Sequence, residues 1–372
     1  MTISFQHIHP IHIDATWSSQ PFAGFCLDSR KLQAGQIFIA LNSYSQPEKT
    51  RQFAQNALDA GALAVISEVE LELANAWVCP EVRYLMGEWQ QHYLQLAYGG
   101  TPLRAIAVTG TNGKTTISRL IAELISAQGA ACAVMGTTGN GILPNLTAST
   151  HTTLDALQLQ NALHDYAQQG AQFVALEASS HGLEQGRLQG CDIKIAVYSN
   201  LSRDHLDYHG TLEAYAEAKA LLFQFKTLKA AVINLDDAHA DIMLAAAQAN
   251  PSQPKILTYS LTQVSADYHI TDLHYTLNGA SFRLVSPSGS DAVASPLLGQ
   301  FNVENLVASL IAAEYAGFDL ADLVQCVPQL QGAPGRMQVI ADAERLFVVD
   351  YAHTPDALIQ VLTTLKRHVN GQ

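Results

Sequence analysis

The stretch that decides the fold is Ala105-Ile-Ala-Val-Thr-Gly-Thr-Asn-Gly-Lys-Thr-Thr116. Its apolar start predicts a short buried strand, its centre a glycine-rich turn, and Lys114 opens a segment with helical periodicity. Gly110 and Gly113 let the backbone turn tightly, so that its N–H groups and the positive end of the helix can face a phosphate. Lys114 can then reach the outer phosphates of a nucleotide, and the Thr115 hydroxyl can bind Mg²⁺. The predicted nucleotide-binding residues are Gly110, Thr111, Asn112, Gly113, Lys114, Thr115 and Thr116.

This stretch is one glycine short of the usual phosphate-loop pattern GxxxxGK[ST]. Val108 occupies the position of the first glycine. An ordinary turn between a strand and a helix is therefore the alternative interpretation. The sequence Gly-Lys-Thr-Thr between a predicted strand and a predicted helix favours phosphate binding.

Outward from this stretch, apolar runs of strand length alternate with segments of helical periodicity. Strands that alternate with helices predict an α/β fold, with a mostly parallel sheet that carries helices on both faces. The turn-rich segment Tyr98–Thr101 and the run Pro334-Gly335-Arg336 suggest domain boundaries. We predict three domains, at residues 1–98, 99–333 and 334–372.

The composition is that of a well-packed protein of 372 residues, 48% hydrophobic and 14% charged. A net charge of −13 argues against nucleic-acid binding. No apolar run reaches the ~18 residues of a membrane helix, and the N-terminus lacks the basic start and apolar core of a signal peptide. The five scattered cysteines form no CxxC pair, which indicates reduced thiols. We expect a cytoplasmic protein without a membrane or nucleic-acid partner.

Polar side chains follow two further predicted strands. Glu177 ends one of them, and a carboxylate beyond the carboxyl end of a strand is well placed to hold Mg²⁺ beside a nucleotide; a helix cap is the alternative. Asp204 and His205 follow the second strand and are candidates for metal binding or acid–base chemistry. Lys219 lies near the apolar face of a predicted helix, where a lysine usually extends its amine to solvent. The residues alone therefore give Lys219 no role.

Eight motifs in the chain are similar to those of one enzyme family. They are Leu27-Asp-Ser-Arg30, Thr109-Gly-Thr-Asn-Gly-Lys-Thr-Thr116, His151-Thr-Thr153, Glu177-Ala-Ser-Ser-His-Gly-Leu183, Asn200-Leu-Ser-Arg-Asp-His-Leu-Asp-Tyr-His-Gly210, Gly299-Gln-Phe-Asn-Val-Glu-Asn305, Gly335-Arg-Met337 and Asp350-Tyr-Ala-His-Thr-Pro-Asp-Ala357. Together they resemble the Mur ligases from about Leu27 onward. The phosphate loop fits the whole superfamily, whereas the third, fourth and fifth motifs are narrower. Those three resemble the members that add the third amino acid to UDP-MurNAc-L-Ala-D-Glu.

The resemblance implies binding roles for the precursor and for metal. The uridine diphosphate side would contact Leu27 and Ser29. The muramoyl-dipeptide side would contact Thr152, Thr153, Ser179 and Arg187. One Mg²⁺ would be held by Thr115 and Glu177. A second would be held by His205 and by Lys219, the lysine as a carbamate.

The resemblance also implies roles around ATP. Asn302 and Asn305 would face the adenine, and Arg336 and Asp350 the ribose and the phosphates. The residues implied to be catalytic are Lys114, Lys219, His205 and Arg336. The implied cofactors are ATP and Mg²⁺, and the implied substrates are the UDP-MurNAc-dipeptide and an amino acid, with meso-diaminopimelate expected over L-lysine. A monomer is expected.

Two other functions stay open from the sequence. A folylpolyglutamate synthase would share the phosphate loop, although it should lack the Asp-Ser-Arg and His-Thr-Thr motifs present here. A fragment that binds nucleotide and precursor without turnover is the second, because the chain stops at Gln372, before the Asp-Asn-Pro-Arg motif expected in the rest of a third domain. On that reading the third domain is incomplete, and the chain should bind its ligands weakly and not complete the ligation.

Overall fold

The computed structural model describes residues 3–9, 15–43, 46–149, 151–341, 345–352 and 355–368. The contacts within the chain divide it into two units. Unit 1 consists of Met1–Leu103, Leu154–Gln169 and Glu184–Cys191, and unit 2 of Arg104–Thr153, Gly170–Leu183 and Asp192–Gln372. The division into three domains stays a prediction.

The described residues form the following elements. The helices are α1 Phe5–Ile8, α2 Pro47–Asp59, α3 Val82–Tyr98, α4 Lys114–Ala127, α5 Ala156–Gln168, α6 Ser180–Glu184, α7 Leu206–His209, α8 Leu212–Ala220, α9 Ala240–Ala249, α10 Gln300–Tyr315, α11 Leu320–Cys326 and α12 Pro355–His368. The strands are β1 Phe25–Cys26, β2 Ile37–Ala40, β3 Ala64–Ser67, β4 Ala76–Val78, β5 Arg104–Thr109, β6 Cys132–Gly136, β7 Gly139–Ile142, β8 Asn145–Thr147, β9 Phe173–Glu177, β10 Ile193–Tyr198, β11 Ala230–Asn234, β12 Lys255–Ser260, β13 Tyr268–Thr276, β14 Gly279–Ser286, β15 Gly289–Ser295, β16 Gln338–Ala341 and β17 Leu346–Val349.

The sheet of unit 1 has four short parallel strands in the order β1-β2-β3-β4. The central strands β2 and β3 are buried along their whole length and are apolar except at Ser67, as expected for a parallel sheet that is covered on both faces. On one face, Met86 and Trp89 of α3 belong to a cluster with Phe5 and Ile37. On the other face, the small side chains of α2 pack against β2 and β3.

The sheet of unit 2 has eleven strands among the described residues, in the order β15-β14-β13-β12-β11-β10-β5-β9-β6-β7-β8. The strands from β12 to β6 in this order pair in parallel. Antiparallel hairpins extend the sheet at each edge, and β16 and β17 form a separate hairpin. The predicted α/β fold with a mostly parallel sheet is confirmed.

Helices α4 and α10 pack with the central strands in the main core of unit 2. In α4 the apolar residues recur at spacings of three and four, so that they line one face of the helix. Ile117, Leu120, Ile121 and Leu124 are completely buried there. This packing fixes the start of α4 directly after β5. Among the described residues, no helix is both long and apolar enough to cross a membrane.

Candidate active site

Three loops of unit 2 meet at one edge of the sheet, because β10, β5 and β9 are adjacent and parallel. Tyr198, Thr109 and Glu177 end these strands. The carboxyl ends of neighbouring strands are where open α/β sheets bind their ligands. The structure therefore brings the predicted phosphate loop, the Glu177 motif and the Asp204–His205 run to one place.

The phosphate loop joins β5 to α4 through a left-handed residue. Gly113 has φ 88° and caps the N-terminus of α4, and a Cβ at this position would lie 2.5 Å from Oδ1 of Asn305. A Cβ on Gly110 would overlap the Ser199 hydroxyl. Val108 is fully buried within β5. The tight turn thus begins at Gly110, and an earlier glycine is not needed.

The loop after β10 braces the phosphate loop. The Ser199 hydroxyl donates to the carbonyl of Asn112 at 2.6 Å, and the Asn200 side chain accepts from the N–H of Asn112 at 3.0 Å. The N–H of Ser202 donates to the Thr111 hydroxyl at 2.9 Å. We did not foresee this role for the polar run, because each contact joins residues 87 to 91 positions apart.

Two lysine amines share one backbone carbonyl in this site. Lys114 Nζ donates to the carbonyl of Gly110 at 2.8 Å and to that of Thr111 at 2.9 Å. Lys219 Nζ donates to the same Gly110 oxygen at 2.9 Å. Burial lowers the pKa of both amines, that of Lys219 to well below its usual value, and the charge of Lys114 adds to the effect on Lys219. The site thus favours a neutral amine on Lys219.

The expectation that Lys219 extends to solvent is wrong. The side chain is 1% exposed, and its Nζ lies 4.1 Å from the centre of the Tyr215 ring. It turns inward because the Gly110 carbonyl offers a buried acceptor. A sequence pattern that places a lysine on an apolar helix face does not show where such an acceptor is.

Glu177 is a buried carboxylate, 2% exposed. Its Oε1 accepts from the N–H of Thr137 at 2.7 Å and its Oε2 from the Thr137 hydroxyl at 3.3 Å. Burial raises the pKa of Glu177, while the charge of Lys114 and a hydrogen bond from the Thr115 hydroxyl oppose the rise. The carboxylate therefore contacts the loop after β6 and the start of α4, and these contacts do not cap helix α6. Thr137 has no recognisable motif, and the sequence reasoning missed it.

Asp204 and His205 lie at the rim of the site, with both side chains about half exposed. Nε2 of His205 is 3.6 Å from Oδ2 of Asp204. The His205 ring centre lies 5.0 Å from that of His181 and 6.0 Å from that of Tyr215. Because Lys219 lies over the same Tyr215 ring, the structure brings both His205 and Lys219 next to one tyrosine.

The His-Thr-Thr motif is joined to the loop after β9. The Thr153 hydroxyl donates to the carbonyl of Glu177 at 2.8 Å and lies 3.0 Å from the Ser179 hydroxyl. The Thr152 hydroxyl lies 3.2 Å from that of Thr137. Three of the residues predicted to bind substrate thus form one hydrogen-bonded patch beside the buried carboxylate.

The two asparagines predicted to face adenine are adjacent at the start of α10. Asn305 Nδ2 donates to Oδ1 of Asn302 at 3.2 Å, and Asn302 Nδ2 donates to the carbonyl of Leu298 at 2.8 Å. Both side chains are buried. The close approach of Asn305 to Gly113 ties this pair to the phosphate loop.

Arg336 and Asp350 lie at the β16–β17 hairpin. The Arg336 guanidinium is 5.1 Å from the centre of the Tyr351 ring, and its charge helps to lower the pKa of Lys114. Arg336 is therefore within electrostatic reach of the phosphate loop. Asp350 accepts from the N–H groups of Met337 and Ala352, each at 2.8 Å. Its carboxylate shapes the hairpin that carries Arg336.

The remaining predicted substrate residues, Leu27, Ser29 and Arg187, lie in unit 1. Ser29 is in the turn after β1, between the ion-paired Asp28 and Arg30. Leu27 packs partly buried against the core of this unit. The guanidinium of Arg187 donates twice to Oε1 of Gln185, at 3.0 and 2.6 Å.

Mg²⁺ binds oxygen ligands, so the oxygen-bearing side chains of the site are the candidates to hold this ion. The Thr115 hydroxyl and the buried Glu177 carboxylate are adjacent oxygen donors, and they fit this ion. An amine does not, so Lys219 would fit only with a carboxylate group on Nζ. The described residues include no cluster of three or more His, Cys, Asp or Glu side chains arranged for a metal.

Comparison with known proteins gives the family. The model of the Mur ligase middle domain matches residues 108–313. The UDP-N-acetylmuramoyl-L-alanyl-D-glutamate--2,6-diaminopimelate ligase of Ectopseudomonas mendocina (strain ymp) is 41% identical over 354 residues, which are 93% of this chain and 71% of that protein. This chain belongs to the Mur ligase family.

Two further proteins are similar to this Mur ligase. The ligase of the same name from Pseudomonas aeruginosa (strain PAO1) is 42% identical over 350 residues, 92% of this chain and 70% of that protein. A solved structure of a UDP-N-acetylmuramoyl-L-alanyl-D-glutamate--2,6-diaminopimelate ligase is 77% identical, with a TM-score of 0.95, over 100% of this chain and 76% of the other. The resemblance to Mur ligases in the sequence motifs is confirmed. The similarity spans 92–100% of this chain and 70–76% of these relatives, and it is not confined to the phosphate loop.

Proposed function

We propose that this Mur ligase uses ATP to join meso-diaminopimelate to UDP-MurNAc-L-Ala-D-Glu during peptidoglycan precursor synthesis. The similarity to diaminopimelate ligases over nine tenths of the chain supports the reaction and the third amino acid. The observation that carries the proposal is the group of Lys114 and the buried Thr115, Glu177 and Lys219 around the phosphate loop. We place the reaction in the cytoplasm and assign it to a monomer.

The chemistry needs two anions to meet, and this explains the charges in the site. A carboxylate of D-Glu attacks the γ-phosphorus of ATP, so that an acyl phosphate forms and ADP leaves. The amine of the amino acid then attacks the acyl carbon, an amide bond forms and phosphate leaves. Lys114 and Arg336 would neutralise the phosphate charge and align the groups, which is the main requirement in phosphoryl transfer. Asn302, Asn305 and Asp350 would hold the rest of ATP.

Two Mg²⁺ ions, when bound, would supply positive charge at the phosphates. Thr115 and Glu177 would hold one, and His205 and Lys219 the other. For this role the neutral Lys219 amine forms an N–C bond to CO₂ and loses one proton, which leaves a carbamate. Burial of Lys219 favours the neutral amine that this reaction requires.

The residues assigned to the precursor follow from the family motifs. Leu27 and Ser29 would contact its uridine diphosphate, and Arg187 its muramoyl-dipeptide end together with the threonine–serine patch of Thr152, Thr153 and Ser179. We propose that residues 1–98 form the precursor-binding domain and residues 99–333 the ATP-binding domain. Residues 334–372 would form the start of the third domain.

The native protein that carries this sequence can be assayed for ADP release and for the amide product. We expect product with ATP, UDP-MurNAc-L-Ala-D-Glu and meso-diaminopimelate, and much less with L-lysine. A preference for lysine would overturn the choice of amino acid. Turnover with a folate substrate in place of the precursor would support a folylpolyglutamate synthase. Binding of nucleotide and precursor without ADP release would support the non-catalytic fragment.

The carbamate has a test of its own. We expect extra density on Lys219 Nζ in a well-resolved complex with nucleotide and Mg²⁺. Lys219→Ala should be inactive and partly restored by a short carboxylate such as acetate, since that anion can replace the lost ligand. A bare amine in such a complex would contradict the proposal.

A further inference from the structure

The loop Glu184-Gln-Gly-Arg-Leu-Gln-Gly-Cys191 lies along helix α3 within unit 1. It carries Arg187 between two glycines, Gly186 and Gly190. Both glycines have positive φ, 64° and 82°. Helix α3 also contains a glycine, Gly87, in its middle. Glycine is the least favourable helix-interior residue after proline, so its position there calls for a physical reason.

Gly87 allows the loop to touch the helix backbone. A Cβ on Gly87 would overlap the carbonyl oxygen of Gln189. Conversely, a Cβ on Gly190 would lie 2.5 Å from the carbonyl oxygen of Gly87 and 2.9 Å from the N of Glu88. The two backbones are in direct contact, and a side chain on either glycine would separate them.

A second contact lies one helical turn earlier in α3. A Cβ on Gly186 would lie 2.9 Å from the carbonyl oxygen of Arg83 and 2.8 Å from the Tyr84 ring. The Tyr84 hydroxyl donates to the carbonyl of Glu184 at 2.8 Å. The loop is therefore held against successive turns of α3 on both sides of Arg187.

Helix α5 holds the same loop through side-chain hydrogen bonds. Gln160 Nε2 donates to the carbonyl of Gln189 at 3.1 Å and lies 3.4 Å from Sγ of Cys191. Leu188, next to Arg187, is 1% exposed, whereas Arg187 itself is partly exposed. The backbone of the loop is thus held on two helices, and the Arg187 side chain is more exposed than its neighbour Leu188.

We infer that α3 is a preformed support for the Arg187 loop and that Gly87 is a positioning residue for binding of the UDP-MurNAc-dipeptide. The inference rests on the proposed function, which assigns Arg187 to this precursor. Gly87 acts through the loop, because the atoms nearest to a Cβ at this position are backbone atoms of Gln189, whereas the Ala156 side chain of α5 lies at an ordinary contact distance of 3.4 Å. An arginine displaced by an ångström loses its alignment with an anionic ligand, which costs on the order of tenfold to a hundredfold.

The test is precursor affinity, measured by calorimetry with UDP-MurNAc-L-Ala-D-Glu, and ATP affinity, measured separately. We expect Gly87→Ala to weaken precursor binding about tenfold or more and to leave ATP binding unchanged. In an Arg187→Ala background the same change should have little further effect. Glu88→Ala is the matched control, because Glu88 is the next residue of α3 and is exposed. It should bind the precursor normally.

Tyr84→Phe covers the case in which Gly87→Ala fails to fold. It removes one hydroxyl from an exposed side chain, and we expect a roughly threefold loss of precursor affinity that also disappears in the Arg187→Ala background. An equal loss with and without Arg187 would overturn the inference, as would normal binding by either variant. If the unaltered protein does not bind the precursor, or if Arg187→Ala does not weaken binding, the proposed role of Arg187 is wrong. That outcome is distinct from a failure of the inference about Gly87, in which Arg187→Ala weakens binding but Gly87→Ala does not.

Discussion

In unit 1, the Glu68 carboxylate is matched by an opposite charge. It accepts from the Arg83 guanidinium at 2.8 and 2.9 Å and from the N–H of Asn42 at 2.6 Å. At the phosphate loop of unit 2, the amines of Lys114 and Lys219 donate instead to carbonyl oxygens. No ion pair of the described residues includes either of these lysines.

The lack of an ion pair at the phosphate loop bears on the pKa values of its ionisable groups. Burial lowers the pKa of Lys114 and Lys219 and raises that of Glu177. Each of these pKa shifts disfavours the charged form of its side chain. Ionisation of these groups therefore makes the folded phosphate loop less stable. The Glu68–Arg83 pair therefore stabilises the fold of unit 1, whereas the Lys114 amine can serve an anionic ligand. The experiments below challenge this comparison, from the largest expected effect to the smallest.

Lys114→Ala should reduce ATP turnover by about 10²–10³-fold, the scale for one preorganised charge stabiliser. The thermal stability of the protein should be unchanged or slightly higher, because a poorly solvated amine is removed. ADP release and thermal denaturation are the measurements. Lys226→Ala, at an exposed lysine of the same unit, should change neither. A strongly destabilised Lys114→Ala would break the comparison.

Glu68→Ala should have the opposite profile. Loss of the paired carboxylate should lower the free energy of unfolding by about 3 kcal/mol, while the affinity for ATP stays the same. Chemical denaturation and nucleotide titration test this. Glu70→Ala serves as the control, since Glu70 accepts from neighbouring backbone N–H groups. Unchanged stability of Glu68→Ala would show that the ion pair is not a stabilising one.

Glu304→Gln tests a buried carboxyl of unit 2 through its pH dependence. Burial raises the pKa of Glu304 to about 7 from 4.5, with Asp236 and Asp237 adding to the rise and a hydrogen bond from Gln300 opposing it. The folded protein binds more protons than the unfolded chain between these values, so this group costs stability as the pH rises from about 4.5 to 7.

The glutamine should therefore raise the free energy of unfolding by about 3 kcal/mol at pH 8. It should give no gain at pH 4.5, where the carboxyl is largely protonated in the fold. Denaturation at both pH values is the measurement. An equal gain at both would mean that the effect does not come from ionisation.

Ser199→Ala should have the smallest effect. It removes the hydrogen bond to the Asn112 carbonyl, worth about 1 kcal/mol, and should raise the KM for ATP roughly fivefold. Ser202→Ala is the control, because Ser202 contacts Thr111 through its backbone atoms. If both variants behave alike, the Ser199 hydroxyl does not brace the loop.

The phosphate loop was predictable because its information is local. Strand, turn and helix follow one another within a dozen residues, and each has its own propensity. Val108 alone broke the pattern, and its burial in β5 explains why. The α/β fold followed from the alternation of apolar runs in the same way.

The remaining parts of the site depend on distant residues. Thr137 meets Glu177 from 40 positions away, and Lys219 finds its acceptor 109 positions away. No spacing rule connects such pairs. The expectation that Lys219 reaches solvent was wrong for this reason, and the bracing role of Ser199 and Asn200 was missed. The motifs showed which residues matter, and the packing showed which of them touch.

Unit 1 is built from three separate segments of the chain, and this has a consequence for its folding during synthesis on the ribosome. Its first stretch ends at Leu103, but α5 and the Arg187 loop, which pack on α3, come from Leu154–Gln169 and Glu184–Cys191. At about 5–20 residues per second, the nascent chain waits on the order of 10 s between residues 103 and 191. Until Leu157 has been added, the apolar face of α3 lacks Ala156 and Leu157, its partners in the finished cluster. Unit 1 therefore cannot complete its folding during synthesis until part of unit 2 has already been made.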